Sequence, residues 1–256
     1  MSFDSLPMWM VVLATIALVL VSLEAGIRLG RWHTRKGGAA FQVSGAMSGA
    51  TMGLLAFMLA FTFNGASVRH EARKALVVEE ANAIDTTWLR AGFLAEQARA
   101  TVRGSLRDYV DMRLKAAVGE VALAEAMHVS EDLQERMWAI ALEAGRGEPA
   151  AITVGLFTQS LNEVIDLHSK RVTAAVRDRI PSTIWATLYL LMVIGMVMMG
   201  LQIGQSGTRQ LSTEVALALA FSMALFVIAD LDRPQAGLVN VSQAALLDVQ
   251  KKMHAQ

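Results

Sequence analysis

Between Gly45 and Arg90 the chain meets no proline and passes from an apolar helical pattern into a charged one. Gly45, Gly49 and Gly53 recur every four residues, and the run from Gly53 to Phe63 carries no charge. Arg69, His70, Glu71, Arg73 and Lys74 then arrive together. A helix that leaves hydrocarbon and stays helical in water ties a membrane element rigidly to a soluble one. Such a geometry suits a pore, a sensor or a scaffold better than a catalyst.

A mean hydropathy of +0.41 with 54% hydrophobic residues is too apolar for an ordinary soluble domain of this length. The formal net charge is zero, which leaves no whole-chain case for nucleic acid as a partner. Cysteine is absent, excluding disulfides, thiolate metal sites and cysteine nucleophiles. Abundant Ala and Met with only two Tyr and four Pro are helix-forming choices, and no segment alternates convincingly at period two. The expected fold class is all-α.

Four apolar runs approach the about 20 residues that a helix needs to cross hydrocarbon: residues 8–27, 43–63, 184–203 and 213–231. Pro7 precedes the first, Pro149 breaks the middle region, Pro181 opens the third, and Pro234 follows the fourth. Proline tolerates a first turn and blocks a helix interior, so these boundaries agree with one another. The expected organisation is an N-terminal membrane hairpin (1–66), a soluble helical insert (67–180), a C-terminal membrane hairpin (181–232) and a tail (233–256). The first span lacks a basic n-region and a small-residue cleavage site, so it reads as an uncleaved anchor.

Within the insert, a near-heptad runs from Val77 through Ala81, Ile84, Trp88, Ala91, Ala95, Ala98 and Val102 towards Leu106 and Tyr109, with Gly92 and Gly104 as kink points. Ser130 followed by Glu131 and Asp132 reads as an N-cap opening a helix that ends near Gly145. A turn to Pro149 and a further amphipathic helix lead to Pro181. Loop charge does not orient the chain. Arg28, Arg31, Arg35, Lys36 and Arg209 lie on one side, against Arg69, Arg73, Lys74, Lys170, Arg171, Arg177 and Arg179 near the membrane on the other.

The stripe Gly45, Gly49 and Gly53 lets another helix approach closely, within the chain or from a second copy. Phe57, Phe61, Thr62, Phe63 and Asn64 place rings beside small polar groups at the helix exit; they read as lipid-facing or core packing, or as a constriction that gates by dewetting. Glu79, Glu80 and Asp85 form a salt-bridged bundle face, with Arg90 and Arg177 as the expected partners, or gather cations at the exit. The stretch Asp230-Leu-Asp232-Arg233-Pro234, then Gly237, ends the fourth span, where Asp232 and Arg233 pin the turn to neighbouring helices or the carboxylates coordinate an ion. The five histidines show no ligand spacing, and no phosphate loop or nucleophile elbow occurs. The expectation is a non-enzyme with no metal site and no cofactor.

One further reading rests on particular residues. Gly53-Leu-Leu-Ala-Phe57 continuing to Phe61-Thr62-Phe63, then Glu80-Ala-Asn82-Ala-Ile84 with Asp85, and Thr87-Trp88-Leu-Arg90, resemble the bacterial bestrophin-like family of membrane proteins. Asn162, Asp166, Arg171, Pro181 with Trp185, and Asp232 and Pro234 with Gly237 fit the same pattern. The resemblance covers most of the chain. It implies a four-span protein of the bacterial inner membrane, homo-oligomeric, with the lipid bilayer and inorganic ions as partners and an anion channel as the implied activity. Phe57, Phe61 and Phe63 would correspond loosely to an aromatic neck, and no counterpart of a calcium clasp is present. The alternative expectation is a membrane sensor or scaffold whose insert binds a ligand or partner protein.

Overall fold

The computed structural model describes residues 7–36, 45–146, 151–207, 209–233 and 237–255, and these residues contain no strand. Eight α-helices follow in order: α1 Met8–Arg35, α2 Gly45–Arg90, α3 Glu96–Ala117, α4 Leu123–Gly145, α5 Ala151–Val176, α6 Ser182–Ser206, α7 Leu211–Asp232 and α8 Ala244–His254. Four of them, α1, α2, α6 and α7, are long and apolar enough to cross a membrane. Pro149 and Pro234, and the first two residues of the span expected from 43, lie outside the described residues.

The contacts divide the chain into two units, residues 1–68 with 179–239, and residues 69–178 with 240–256. In the first unit α1 packs along α6 and α7. Its core holds Val19, Leu55, Trp185, Leu188, Met192, Met196, Leu225 and Ile228. The threonine hydroxyls at positions 15, 34, 51, 62 and 187 in this unit each donate to the carbonyl four residues back. Thr15 Oγ1 donates to the Val11 carbonyl at 2.8 Å and lies 3.1 Å from Tyr189 Oη on α6, so a polar side chain in apolar surroundings is satisfied twice over.

In the second unit α3 packs on α4 and α8, and α4 on α5. Its core is built from Val77, Ile84, Trp88, Leu106, Tyr109, Met137, Phe157, Leu161 and Val164. The repeat from Val77 to Tyr109 does not form one helix. α2 ends at Arg90, a short 3-10 turn spans Ala91–Phe93, and Leu94 is extended (ψ 157°) before α3 begins. Gly92 lies in that break, where its weak helix propensity costs little.

Ser130 is not an N-cap. α4 starts seven residues earlier, at Leu123, because the apolar face extends upstream through the buried Ala126. Ser130 is buried inside the helix and donates to the Ala126 carbonyl at 2.6 Å. Gly119, at φ 78°, supplies the left-handed residue that turns α3 towards α4. The segment expected as a tail is structured from Ala244. α8 buries Leu246, Val249 and Met253 in the core of the second unit.

Candidate functional site

α2 presents an uncovered apolar face in the first unit. Only 17% of its most apolar stretch is buried, against 39% for α1. Gly49 and Gly53 have no atom of another element where a Cβ would sit, and Gly45 has only Gln202 Nε2 at 3.4 Å. Phe57, Phe61 and Phe63 are 53%, 64% and 45% exposed. Phe57 and Phe61 stack with ring centroids 4.6 Å apart. Asn64 is exposed on the same helix, and Thr62 donates back to the Met58 carbonyl at 2.8 Å. With spacings of four, Gly45, Gly49, Gly53, Phe57 and Phe61 form one stripe.

Close helix contact inside the chain is made by other glycines. A Cβ at Gly26 or Gly30 would strike the backbone of α6 at Val197 or Leu201, and one at Gly200 or Gly204 the backbone of α1 at Leu23 or Ile27. Both pairs have the four-residue spacing that lets two helices touch backbone to backbone.

In the second unit Glu80 and Arg171 meet, although they are 91 residues apart. Glu80 is fully buried. Arg171 donates to its Oε2, Tyr109 Oη donates to its Oε1 at 2.5 Å, and Arg113 Nε lies 3.6 Å from Oε1. Tyr109 Oη is also 3.1 Å from His168 Nδ1. Burial, then the neighbouring Glu80 carboxylate, push the Tyr109 phenol well above its usual range. Burial, with the charge of Arg113, depresses the His168 imidazole to about 4. Burial likewise lowers Arg171 from its ordinary value. A buried carboxylate is tolerable here because two guanidiniums and a phenol surround it, whereas an unpaired one would cost several kcal/mol (roughly 3–5 on loss of one partner).

The remaining family-motif residues serve separate contacts. Trp88 is fully buried with the guanidiniums of Arg103 and Arg107 4.7 and 4.9 Å from its ring centroid. Asp85 pairs with Lys252 of α8 at 2.6 Å. Asn162 donates to Asp166 at 3.2 Å on the exposed side of α5, and the Asn82 side chain is exposed while its carbonyl accepts from Thr86.

The end of α7 is a lock of carboxylates on backbone amides. Asp232 accepts the Ile180 N–H at 3.0 and 3.3 Å, and Arg179 donates to the Asp232 carbonyl at 2.7 Å. Asp230 accepts the N–H groups of Leu238 and Val239 at 2.8 and 2.9 Å. A Cβ at Gly237 would strike the Asp230 carboxylate. Pro181, next after Ile180, caps α6 and has no N–H of its own, and Trp185 is buried one turn on.

Glu80 meets Arg171 and Arg113 rather than the expected Arg90 and Arg177. Arg90 instead donates to the Leu156 carbonyl at 2.7 Å. The partners Tyr109, Arg113 and His168 carry a sequence signal of their own. Tyr109 and Arg113 stand four apart on the α3 face that also buries Val102 and Leu106, and His168 and Arg171 stand three apart on α5. Polar groups on an apolar stripe of two neighbouring helices demand mutual partners. The spacings Gly26 to Gly30 and Gly200 to Gly204 were equally visible.

An all-helical chain with four apolar helices of crossing length is a multi-pass membrane protein. It belongs to the bestrophin-like family, since the family model described as Bestrophin-like domain matches residues 11–246. Solved structures share the fold at low identity. A bacterial bestrophin homologue from Klebsiella pneumoniae, in a single-substitution form, matches with a TM-score of 0.69 and 16% identity over 96% of this chain and 99% of its own. Another crystal structure of a Klebsiella pneumoniae bestrophin homologue gives 0.69 and 14% over 95% and 97%. A variant of a protein described only as a membrane protein gives 0.71 and 14% over 95% and 97%. No curated protein matches significantly.

Proposed function

We propose that the protein is a homo-oligomeric anion channel of the bacterial inner membrane, with α2 from each copy near the axis. The observation that carries this reading is the uncovered stripe from Gly45 to Phe61, apolar and aromatic, on a helix whose neighbours leave most of its surface open. Small residues at one end allow symmetric copies to approach, and the Phe57 and Phe61 rings at the other narrow the axis so that it conducts only when wetted. Asn64 would stand at the mouth. In this reading residues 1–66 and 181–232 form the membrane part as two hairpins flanking the 67–180 insert. Membership of the bestrophin-like family supports it.

The test is the mass of the solubilised particle together with conductance in planar bilayers. A symmetric oligomer whose conductance or selectivity changes on Phe61→Ala supports the assignment. A silent particle, or a conductance indifferent to Phe61→Ala, overturns the pore role of α2. A monomer carrying a stoichiometric second protein would favour a sensor or scaffold instead.

A further inference from the structure

Four charges of alternating sign run in a row through one end of the first unit. Arg28 Nε donates to Glu24 Oε1 at 2.8 Å, Arg209 Nη1 lies 3.1 Å from Glu24 Oε2, and Arg209 Nη2 donates to Glu214 Oε2 at 3.2 Å. The row ends on an acceptor. Glu214 Oε1 is buried and has no hydrogen-bond partner among the described residues, and Glu214 as a whole is only 5% exposed. Compensation is therefore uneven: Glu24 holds two guanidiniums, whereas Glu214 holds one that it shares. A buried charged acceptor left unfilled costs more than a neutral one. Beside that carboxylate lies a cavity of about 270 Å³, walled by Leu23 of α1, Met199 and Ile203 of α6, and Leu217 of α7. Its other polar groups, Gln210 and Thr213, bond to one another at 3.2 Å.

We infer that this cavity takes a primary ammonium carried on a small apolar body. The ammonium donates N–H to Glu214 Oε1 and supplies the next positive charge of the row, and a charge-assisted bond of this kind is about twice as strong as one from a neutral hydroxyl. The terminal torsion of a glutamate is broad, so the carboxylate turns towards the cavity while keeping Arg209. The four apolar side chains receive the alkyl part, as in most small-ligand sites. The volume far exceeds the about 10–15 Å³ that one water molecule needs. A metal ion would meet a single carboxylate here, and no cluster of ligands suited to one occurs among the described residues. α6 ends at Ser206 and α7 begins at Leu211, so the cavity lies where two apolar spans meet the boundary. An aminophospholipid headgroup and a free amine are the two sources of the ligand. Neither depends on whether the protein conducts ions.

The full chain is reconstituted in phosphatidylcholine nanodiscs, whose quaternary ammonium has no N–H to donate. One arm adds phosphatidylethanolamine and follows retained lipid by native mass spectrometry. The other titrates n-butylammonium calorimetrically, with n-butanol as the uncharged comparison. Glu214→Gln is expected to weaken binding about tenfold. Leu217→Trp, which fills the cavity and takes no part in the row of charges, is expected to abolish it. Glu71→Gln, exposed on α2, is expected to leave it unchanged. The comparison of butylammonium with butanol needs no variant, so a misfolded Glu214→Gln protein leaves the test intact. Retention of phosphatidylethanolamine over phosphatidylcholine assigns a headgroup, and butylammonium binding a free amine; either supports the site. Absence of binding in both arms, butanol binding as tightly as butylammonium, or a Leu217→Trp protein that binds as the natural one does, overturns it.

Discussion

Tyr109 donates its phenolic hydrogen to Glu80 at 2.5 Å, and both side chains are wholly excluded from solvent. The bond joins α2 to α3, and through Arg171 the same carboxylate joins α5. Two consecutive helices and a third, whose Arg171 lies 91 residues from Glu80, thus share one buried charge, so any single partner is felt by the others.

Tyr109→Phe keeps the ring and removes the donor. Glu80 retains its guanidiniums, so the expected loss is about 1–3 kcal/mol of stability, read as a lower midpoint in thermal unfolding followed by helical circular dichroism. An unchanged midpoint would show that the hydroxyl contributes nothing to holding α2 on α3.

His168 makes stability depend on pH. Its imidazole titrates near 4 when folded, against an ordinary 6.5. Between those values the unfolded chain binds a proton that the folded chain refuses, so stability is complete above about 6.5 and declines towards 4. The slope is at most about 1.4 kcal/mol per pH unit. The charged groups facing the ring are Arg113, Arg171 and Glu80, with the neutral Tyr109 phenol. Melting temperatures at pH 7 and pH 5 should differ less in His168→Gln than in the natural protein.

The two glycine stripes should respond oppositely to a methyl group. Gly200→Ala forces a Cβ into the Leu23 carbonyl of α1, and overpacking of that kind costs about 1–3 kcal/mol. Gly49→Ala meets open space within the chain. It should leave the melting temperature of a dissociated protomer unchanged and lower the fraction of assembled particle seen by light scattering.

Asp232→Ala removes the acceptor of the Ile180 N–H next to Pro181. A buried amide left without a partner costs about 1–3 kcal/mol. Amide hydrogen exchange at Ile180 should accelerate in the variant, and Asp232→Asn, which keeps an acceptor oxygen, should recover part of the protection.

Much of the fold was legible in the chain. Helix type and the apolar runs are local properties, set by propensity and by uncharged stretches such as Gly53 to Phe63. The break at Ala91–Phe93 was harder to place, since Gly92 weakens a helix without forbidding one. Ser130 misled because serine caps helices in isolation, while here buried Ala126 carries the helix back to Leu123. At the candidate sites, Glu80 and Arg171 stood out as residues but not as a pair, and Asp85 gave no hint of Lys252 on α8.

The sequence by itself determined an all-helical chain with four helices able to cross a membrane, and the bestrophin-like resemblance, because run length, charge and motif spacing are written along one dimension. Only the tertiary structure decided that Gly26, Gly30, Gly200 and Gly204 make the close contact while Gly49 and Gly53 stay uncovered. It also decided that Glu80, Tyr109, Arg113, His168 and Arg171 share one buried site. Partners of this kind depend on how far each helix is rotated and shifted against its neighbours, and the packing of whole faces settles both at once.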